Sequence, residues 1–217
     1  MKVIAFNGSP RKEWNTATLL KKALEGAASQ GAQTEFVQLY ELDYQGCISC
    51  FACKEKGGES YGRCVVQDDL KPVFDRIEKA DALIFGSPIY LGNITGQTQS
   101  FLERLLFPYL AYTDPPESLF PKKIPTGFIY TMGMTEELMN QFGYRQRFAG
   151  MEGSLSRIFG SSETLLSFDT CQFEDYAKMV APRFDPAEKL KRRREVFPED
   201  CRKAIGMGIR LAGGKQD

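Results

Sequence analysis

The sequence contains no histidine. That absence removes the usual general base, the commonest metal ligand and the ordinary pH switch near neutrality. Hydrolases built on Ser-His-Asp or Cys-His are excluded in their normal form. Net charge is also missing: 28 Lys and Arg balance 28 Asp and Glu. A chain without an overall field is not expected to seek nucleic acid or an anionic membrane surface. No apolar run approaches the roughly 20 residues a membrane-crossing helix needs. The first run, Val3-Ile4-Ala5-Phe6, stops at Asn7-Gly8 and has the length of a strand, not of a signal-peptide core. A cytoplasmic location is therefore expected. Chemistry must rest on a cofactor, on cysteines, or on carboxylates and tyrosines.

What is present is an alternation. Val3–Phe6 reads as a strand buried on both faces. A helix over about 15–30 follows, with Leu19, Leu20, Ala23, Leu24, Ala27 and Ala28 in one stripe, stopped at Gly31. Glu35–Leu39 alternates as an edge strand does. Residues 43–66 form a Cys- and Gly-rich loop. A helix runs through Val73, Phe74 and Ile77, and Ala82–Phe85 is a third strand. A helix with Phe101, Leu102, Leu105 and Leu106 comes next, then a proline-rich connection over 108–125. Gly127–Tyr130 is a fourth strand, about 135–158 is helical, and Thr164–Phe168 is a fifth strand. From about 186 a charged helical extension leads to a frayed Gly-rich tail. Strands alternating with helices imply parallel pairing through right-handed crossovers. The expectation is one α/β domain over 1–217, a flavodoxin-like doubly wound five-stranded sheet in the order 2-1-3-4-5. In such sheets ligands sit at the carboxyl ends of the strands.

Two loops at that edge carry chemistry. After the first strand, Gly8 permits a tight turn, Ser9, Asn15 and Thr16 offer donors, and Arg11 and Lys12 offer positive charge. The start of the helix adds free N–H groups and a favourable dipole end. Together these suit a phosphate; the alternative is a polar turn with a helix cap. The Walker pattern and the three-glycine dinucleotide fingerprint are both absent. After the third strand comes Gly86-Ser87-Pro88-Ile89-Tyr90-Leu91-Gly92-Asn93. Pro88 stiffens this loop, its glycines allow close backbone approach, and Tyr90 supplies an aromatic face. A planar ring system needs such a slot, although an ordinary strand-to-helix turn explains the same residues.

Gly8-Ser9-Pro10-Arg11 with Asn15-Thr16 and Leu19 resembles the NADPH-dependent FMN reductase family, and its iron–sulfur flavoprotein branch in particular. Ser-Pro-Ile-Tyr-x-Gly-Asn over 87–93, then Thr95, Gly96, Phe101 and Arg104, resembles that family's isoalloxazine-binding stretch. The resemblance implies FMN, with its phosphate on Ser9, Arg11, Lys12, Asn15 and Thr16. The ring is implied on Pro88, Ile89, Tyr90, Leu91, Gly92 and Asn93. Thr131-Met132-Gly133-Met134 resembles a third flavin contact, through Thr131 and Gly133. The implied activity is electron transfer from NAD(P)H, or from a ferredoxin-like donor, to an acceptor. With no histidine, the bond chemistry is expected to be the flavin's own, with no protein catalytic residue. A homodimer or homotetramer is implied as well.

Cys47, Cys50, Cys53 and Cys64 are spaced C-x2-C-x2-C and then ten residues to the last cysteine. Without histidine they are the one full thiolate set for zinc or an iron–sulfur cluster. Inert loop thiols fit the same residues. The resemblance implies a [4Fe-4S] cluster, although its relatives have a shorter last gap than the one holding Lys56–Gly62. Two rivals stand beside this reading: a flavodoxin-type carrier that exchanges electrons only with proteins, and a thiol or zinc regulatory module. Cys171 and Cys201 are expected to be structural. Lys191–Arg194 is expected to be the solvated face of the last helix. Trp14 either shields a cofactor or packs at the surface. The aromatic stretch Phe101–Phe120 suggests a lid or a contact between copies.

Overall fold

The computed structural model describes residues 1–214. The last residues of the Gly-rich tail lie outside them, so the expected fraying there is untested. The elements in chain order are β1 (Lys2–Asn7), α1 (Asn15–Ser29), β2 (Gln33–Gln38), α2 (Leu70–Ile77), β3 (Ala82–Tyr90), β4 (Asn93–Ile94) and α3 (Gly96–Tyr109). They continue with β5 (Ile124–Thr131), α4 (Glu136–Gln141), α5 (Tyr144–Phe159), β6 (Gly160–Ser167), α6 (Pro186–Glu195) and α7 (Phe197–Leu211).

The sheet has six strands in the order β2-β1-β3-β5-β6, with β4 paired antiparallel to the end of β3. The five long strands are all parallel. They take the order expected of a doubly wound sheet, and the sixth strand is a two-residue return of the β3 chain on itself. That return was not visible as a strand because a pair so short leaves no alternating pattern to read.

Side chains alternate across the central strands, and each face has its own core. Ile4, Phe6, Leu83, Phe85, Phe128 and Tyr130 face α2, α3 and α5. Val3, Ala5, Ala82, Ile84 and Ile129 face α1 and α7. Burying one such aliphatic or aromatic side chain is worth roughly 1.5–3 kcal/mol before chain entropy is counted. The first face is aromatic: Phe128 stacks on Tyr130 at 4.1 Å, and Tyr130 on Phe148 at 4.3 Å.

Three expectations gain detail. The helical stretch expected over about 135–158 is made of two helices, because Gly143 takes a left-handed φ of 68° between them. The C-terminal extension is part of the core: α7 lies along α1 and buries Ala204, Met207 and Leu211. The run Lys191–Arg194 is not wholly a solvated face. Arg192 pairs with buried Asp200 at 2.5 Å, and Asp200 also accepts a 2.6 Å bond from Ser167. Arg193 donates to Asn15 Oδ1 at 2.7 Å and lies over the rings of Trp14 and Phe197. No helix among the described residues is long and apolar enough to cross a membrane.

Candidate functional site

The β1–α1 loop is tied to the β3 loop before any ligand is considered. Gly8 N–H donates to Gly86 C=O at 2.8 Å, and Thr95 Oγ1–H to Gly8 C=O at 2.8 Å. A Cβ on Gly8 would overlap the Thr98 hydroxyl, so glycine is required here for close approach. Buried Asn7 donates to Gln38 Oε1 at 2.6 Å, and Gln38 in turn donates to Ser9 C=O at 2.7 Å. These bonds hold the loop's backbone while leaving its outer surface open.

Helix α1 starts at Asn15 with no side-chain cap and no acidic residue in its first turn. By contrast, Thr95 and Asp185 cap α3 and α6. The first N–H groups of α1 have no partner within the helix, and the positive end of its dipole faces outward. Arg11 stands beside this end, with Nη1 donating to Gln172 C=O and the guanidinium 5.4 Å from the Trp14 ring. Thr16 Oγ1 and Thr131 Oγ1 meet at 2.8 Å and join the first loop to the third.

Ser9, Arg11, Asn15, Thr16, Pro88, Ile89, Tyr90, Thr131 and Gly133 line one open cleft of about 590 Å³. They come from three loops at the carboxyl edge of the sheet. Lys12 does not line the cleft; its ammonium pairs with Glu41. Leu91, Gly92 and Asn93 form the β3–β4 turn beyond the lining. Leu91 is exposed at φ 50° and Gly92 has φ 82°, the paired left-handed geometry of a tight hairpin. A Cβ on Gly92 would stand 2.6 Å from Tyr144 Oη. Partial burial raises the Tyr90 pKa, so its ring stays a neutral phenol.

Met132 and the segment Thr170–Phe173 also line the cleft. Sequence reasoning placed no cleft residue in Thr170–Phe173 and expected Cys171 to be structural, although the loop after every parallel strand opens at the same edge. Cys171 belongs to this wall through its backbone: its carbonyl accepts from Trp14 Nε1 at 2.9 Å and Asn15 Nδ2 at 2.7 Å. Trp14 is thus a wall of the cleft. Burial pushes the Cys171 thiol up, and it donates to Lys189 C=O at 3.1 Å. Lys189 pins the third loop, its Nζ donating to Gly133 C=O at 2.8 Å and pairing with Asp169. Lys189→Met is expected to cost about 2 kcal/mol in chemical denaturation. That is below the usual cost of breaking a buried pair, because the Asp169 side chain is 31% exposed. A change under about 0.5 kcal/mol, the ordinary range for a surface site, would show that the pair does not hold the loop.

The four clustered cysteines are free thiols lining a second, tighter pocket, with Ile48, Phe51, Val65, Val66, Phe107 and Pro108 around them. The long last gap loops out. Gly62 N–H donates to Cys53 C=O at 3.0 Å and Ser60 Oγ–H to Ala52 C=O at 3.0 Å, closing its base two residues before Cys64. Lys54 Nζ caps the end of α3 through the carbonyls of Phe107, Pro108 and Leu110. Burial pushes the Cys53 thiol up. Among the described residues no group of three or more Cys, Asp or Glu is placed to hold a single metal ion. Arg104 does not line the cleft expected for the ring; it is buried against Cys64 and Asp68.

The chain matches the model of the NADPH-dependent FMN reductase family over residues 1–154. It is 38% identical over 104 residues to an iron–sulfur flavoprotein of Methanocaldococcus jannaschii, which covers 48% of this chain and 51% of that protein. An iron–sulfur flavoprotein of Archaeoglobus fulgidus is 35% identical over 104 residues, 48% of each chain. The chain thus spans about half the length of the curated relatives it matches. Among solved structures, an NAD(P)H:quinone oxidoreductase from Methanothermobacter marburgensis superposes with a TM-score of 0.71 at 16% identity, covering 97% of this chain and 98% of that one. That likeness speaks to the fold. The family match spans the loops after β1, β3 and β5 together with the cysteine loop, and on it the chain belongs to the NADPH-dependent FMN reductase family.

Proposed function

We propose that residues 1–217 form one FMN-binding oxidoreductase domain, which moves electrons from NAD(P)H to an acceptor. The observation that carries this reading is the meeting of three loops, chosen from sequence alone, in one cleft. The residues suit the cofactor. The uncapped start of α1 beside Arg11 offers N–H groups and charge to a phosphate. Pro88, Ile89 and Tyr90 line the same cleft as Met132, Gly133 and Gln172, where main chain can approach a flat ring. FMN, when bound, supplies the site that accepts a hydride or electrons. The protein's part is to hold the phosphate, orient the ring and keep one face reachable, and no side chain is needed as an acid or base.

We further read Cys47, Cys50, Cys53 and Cys64 as the ligands of a [4Fe-4S] cluster. The donor set is all thiol, with no imidazole anywhere in the chain, and it lines a single largely apolar pocket. A cubane spaces its four thiolates more widely than one ion does, so a set that does not converge on a single ion is compatible with it. A cluster would open a route for a ferredoxin-like protein donor beside NAD(P)H. Four unpaired thiols in one pocket suit a reducing compartment, hence the cytoplasm. A homodimer or homotetramer completes the reading.

Protein purified without oxygen is expected to show flavin absorption bands over a broad iron–sulfur background, with stoichiometric FMN and about four irons. NAD(P)H is expected to bleach the flavin. Colourless protein that takes up no added FMN would sink the cofactor site. Bound FMN that NAD(P)H leaves oxidised would favour the protein-to-protein carrier, and zinc in place of iron the thiol–zinc module.

A further inference from the structure

Arg104 is the most completely engaged charged group near the cysteines. Its residue is 3% exposed, deep between α3 and the chain that follows Cys64. Nε–H donates to Cys64 Sγ at 3.2 Å. Nη1 donates to Asp68 Oδ2 at 2.6 Å and to Gln45 C=O at 3.1 Å. Nη2 donates to Asp68 Oδ1 at 3.1 Å and to Val66 C=O at 3.5 Å. All five N–H groups therefore have acceptors. Four of those five acceptor atoms lie on the Cys64–Asp68 segment and the fifth, the Gln45 carbonyl oxygen, lies just before Cys47. One side chain of α3 thus joins both ends of the cysteine loop, beside the bonds of Asp43 N–H to Asp69 Oδ2 at 2.8 Å and Cys47 N–H to Glu103 Oε2 at 3.3 Å.

The guanidinium is fixed by Asp68 in a two-point fork, so its Nε–H cannot swing away from the sulfur. Asp68 balances its charge, and what faces Cys64 is the donor end of an oriented ion pair. Hydrogen bonds to ligand sulfur, and positive charge beside it, stabilise the more negative, reduced state of an iron–sulfur centre. We propose that Arg104 is a positioning residue for the cysteine site: it holds the Cys64 sulfur toward the other three thiols and raises the reduction potential of the cluster they bind. This rests on the cluster reading above.

The test compares wild-type protein, Arg104→Lys and Asp68→Asn, all purified without oxygen and with FMN, iron and sulfide counted. Potentials are followed by electron paramagnetic resonance. Lysine keeps the charge but lacks the fork, so it cannot serve Asp68 and Cys64 together. Arg104→Lys is expected to lower the cluster potential while leaving the flavin potential unchanged. Asp68→Asn keeps the Nε–H donor, removes its counter-charge and is expected to raise the cluster potential. A fully loaded Arg104→Lys cluster at the wild-type potential overturns the proposal. Should that variant fail to fold, an unchanged potential in Asp68→Asn overturns it instead.

A second measurement needs no cluster. In iron-free protein, N-ethylmaleimide is expected to label Cys64 several times faster in Arg104→Lys than in wild type, with Cys201 as the internal reference. Equal rates would remove the positioning role. Wild-type protein that never carries iron would defeat the cluster reading, and the labelling comparison would still decide whether Arg104 holds Cys64.

Discussion

Gly208→Ala is expected to destabilise the protein by about 3 kcal/mol or more and to cost it FMN at the same time. Helices α1 and α7 meet backbone to backbone, and small residues make that approach possible. A Cβ on Gly208 would overlap the Ala23 carbonyl oxygen, with the carbonyl carbon 2.7 Å away and Ala27 N at 2.9 Å. From the other side, a Cβ on Gly26 would overlap the Ile205 carbonyl oxygen. In both cases the obstacle is main chain, which cannot rotate aside as the end of a long side chain can. The helices must separate, and overpacking of this kind costs roughly 1–3 kcal/mol and sometimes more. The separation matters for the cleft because the free end of α1 is the end proposed to hold the phosphate. Gly150→Ala and Gly153→Ala supply the control. Both sit inside α5, where an added methyl would meet nothing within 4 Å. There alanine is expected to stabilise by up to about 1 kcal/mol, the ordinary helix-propensity gain. Urea denaturation with FMN counted at each step checks both halves. A Gly208→Ala protein as stable as wild type would mean that the α1–α7 contact is looser than the structure has it.

That contact also shows where reading the sequence stops. Val3–Phe6, Ala82–Phe85 and Gly127–Tyr130 announce themselves because a strand covered on both faces leaves an unbroken apolar run. The stripe on α1 does so because Leu19, Leu20, Ala23, Leu24 and Ala27 recur at helical spacing. Strand order then brings the loops after β1, β3 and β5 to one edge, and the cleft among them was legible from those loops alone. The packing of helix α7 was not, because the sequence reads there as a charged helical extension, while Ala204, Met207 and Gly208 serve as a packing surface. The wall built by Thr170–Phe173, the side of Trp14 that closes on it, and the Lys189 brace behind Gly133 were hidden for a different reason. They act through backbone carbonyls and long-range pairs, such as Trp14 to Cys171, which leave no local pattern. Arg104 went to the wrong site because the motif that carries it follows the ring loop in sequence, while the turn of α3 that bears it faces the cysteines in space.

Arg11→Ala is expected to weaken FMN binding by about ten- to a hundredfold, with little change in folding stability. The residue lies exposed at the cleft mouth, where the folded state asks little of it beyond one bond to Gln172 C=O and a contact with the Trp14 ring. Substitutions at such positions usually move stability by no more than about 0.5 kcal/mol. A hydrogen bond to an ionised phosphate is worth roughly 1.5–3 kcal/mol, which corresponds to about that range of affinity. Arg11→Glu should lose more, since it sets a carboxylate against the phosphate at the open end of α1, and its deficit should shrink as salt is raised. Riboflavin separates this account from a general loosening of the cleft. It carries the same ring without the phosphate, so its weaker binding should be the same for wild type and Arg11→Ala. Titrations followed by quenching of flavin fluorescence measure both ligands on the same preparations. If riboflavin binding falls as far as FMN binding does, Arg11 shapes the ring slot instead, and the phosphate is held by the N–H groups of α1 without it.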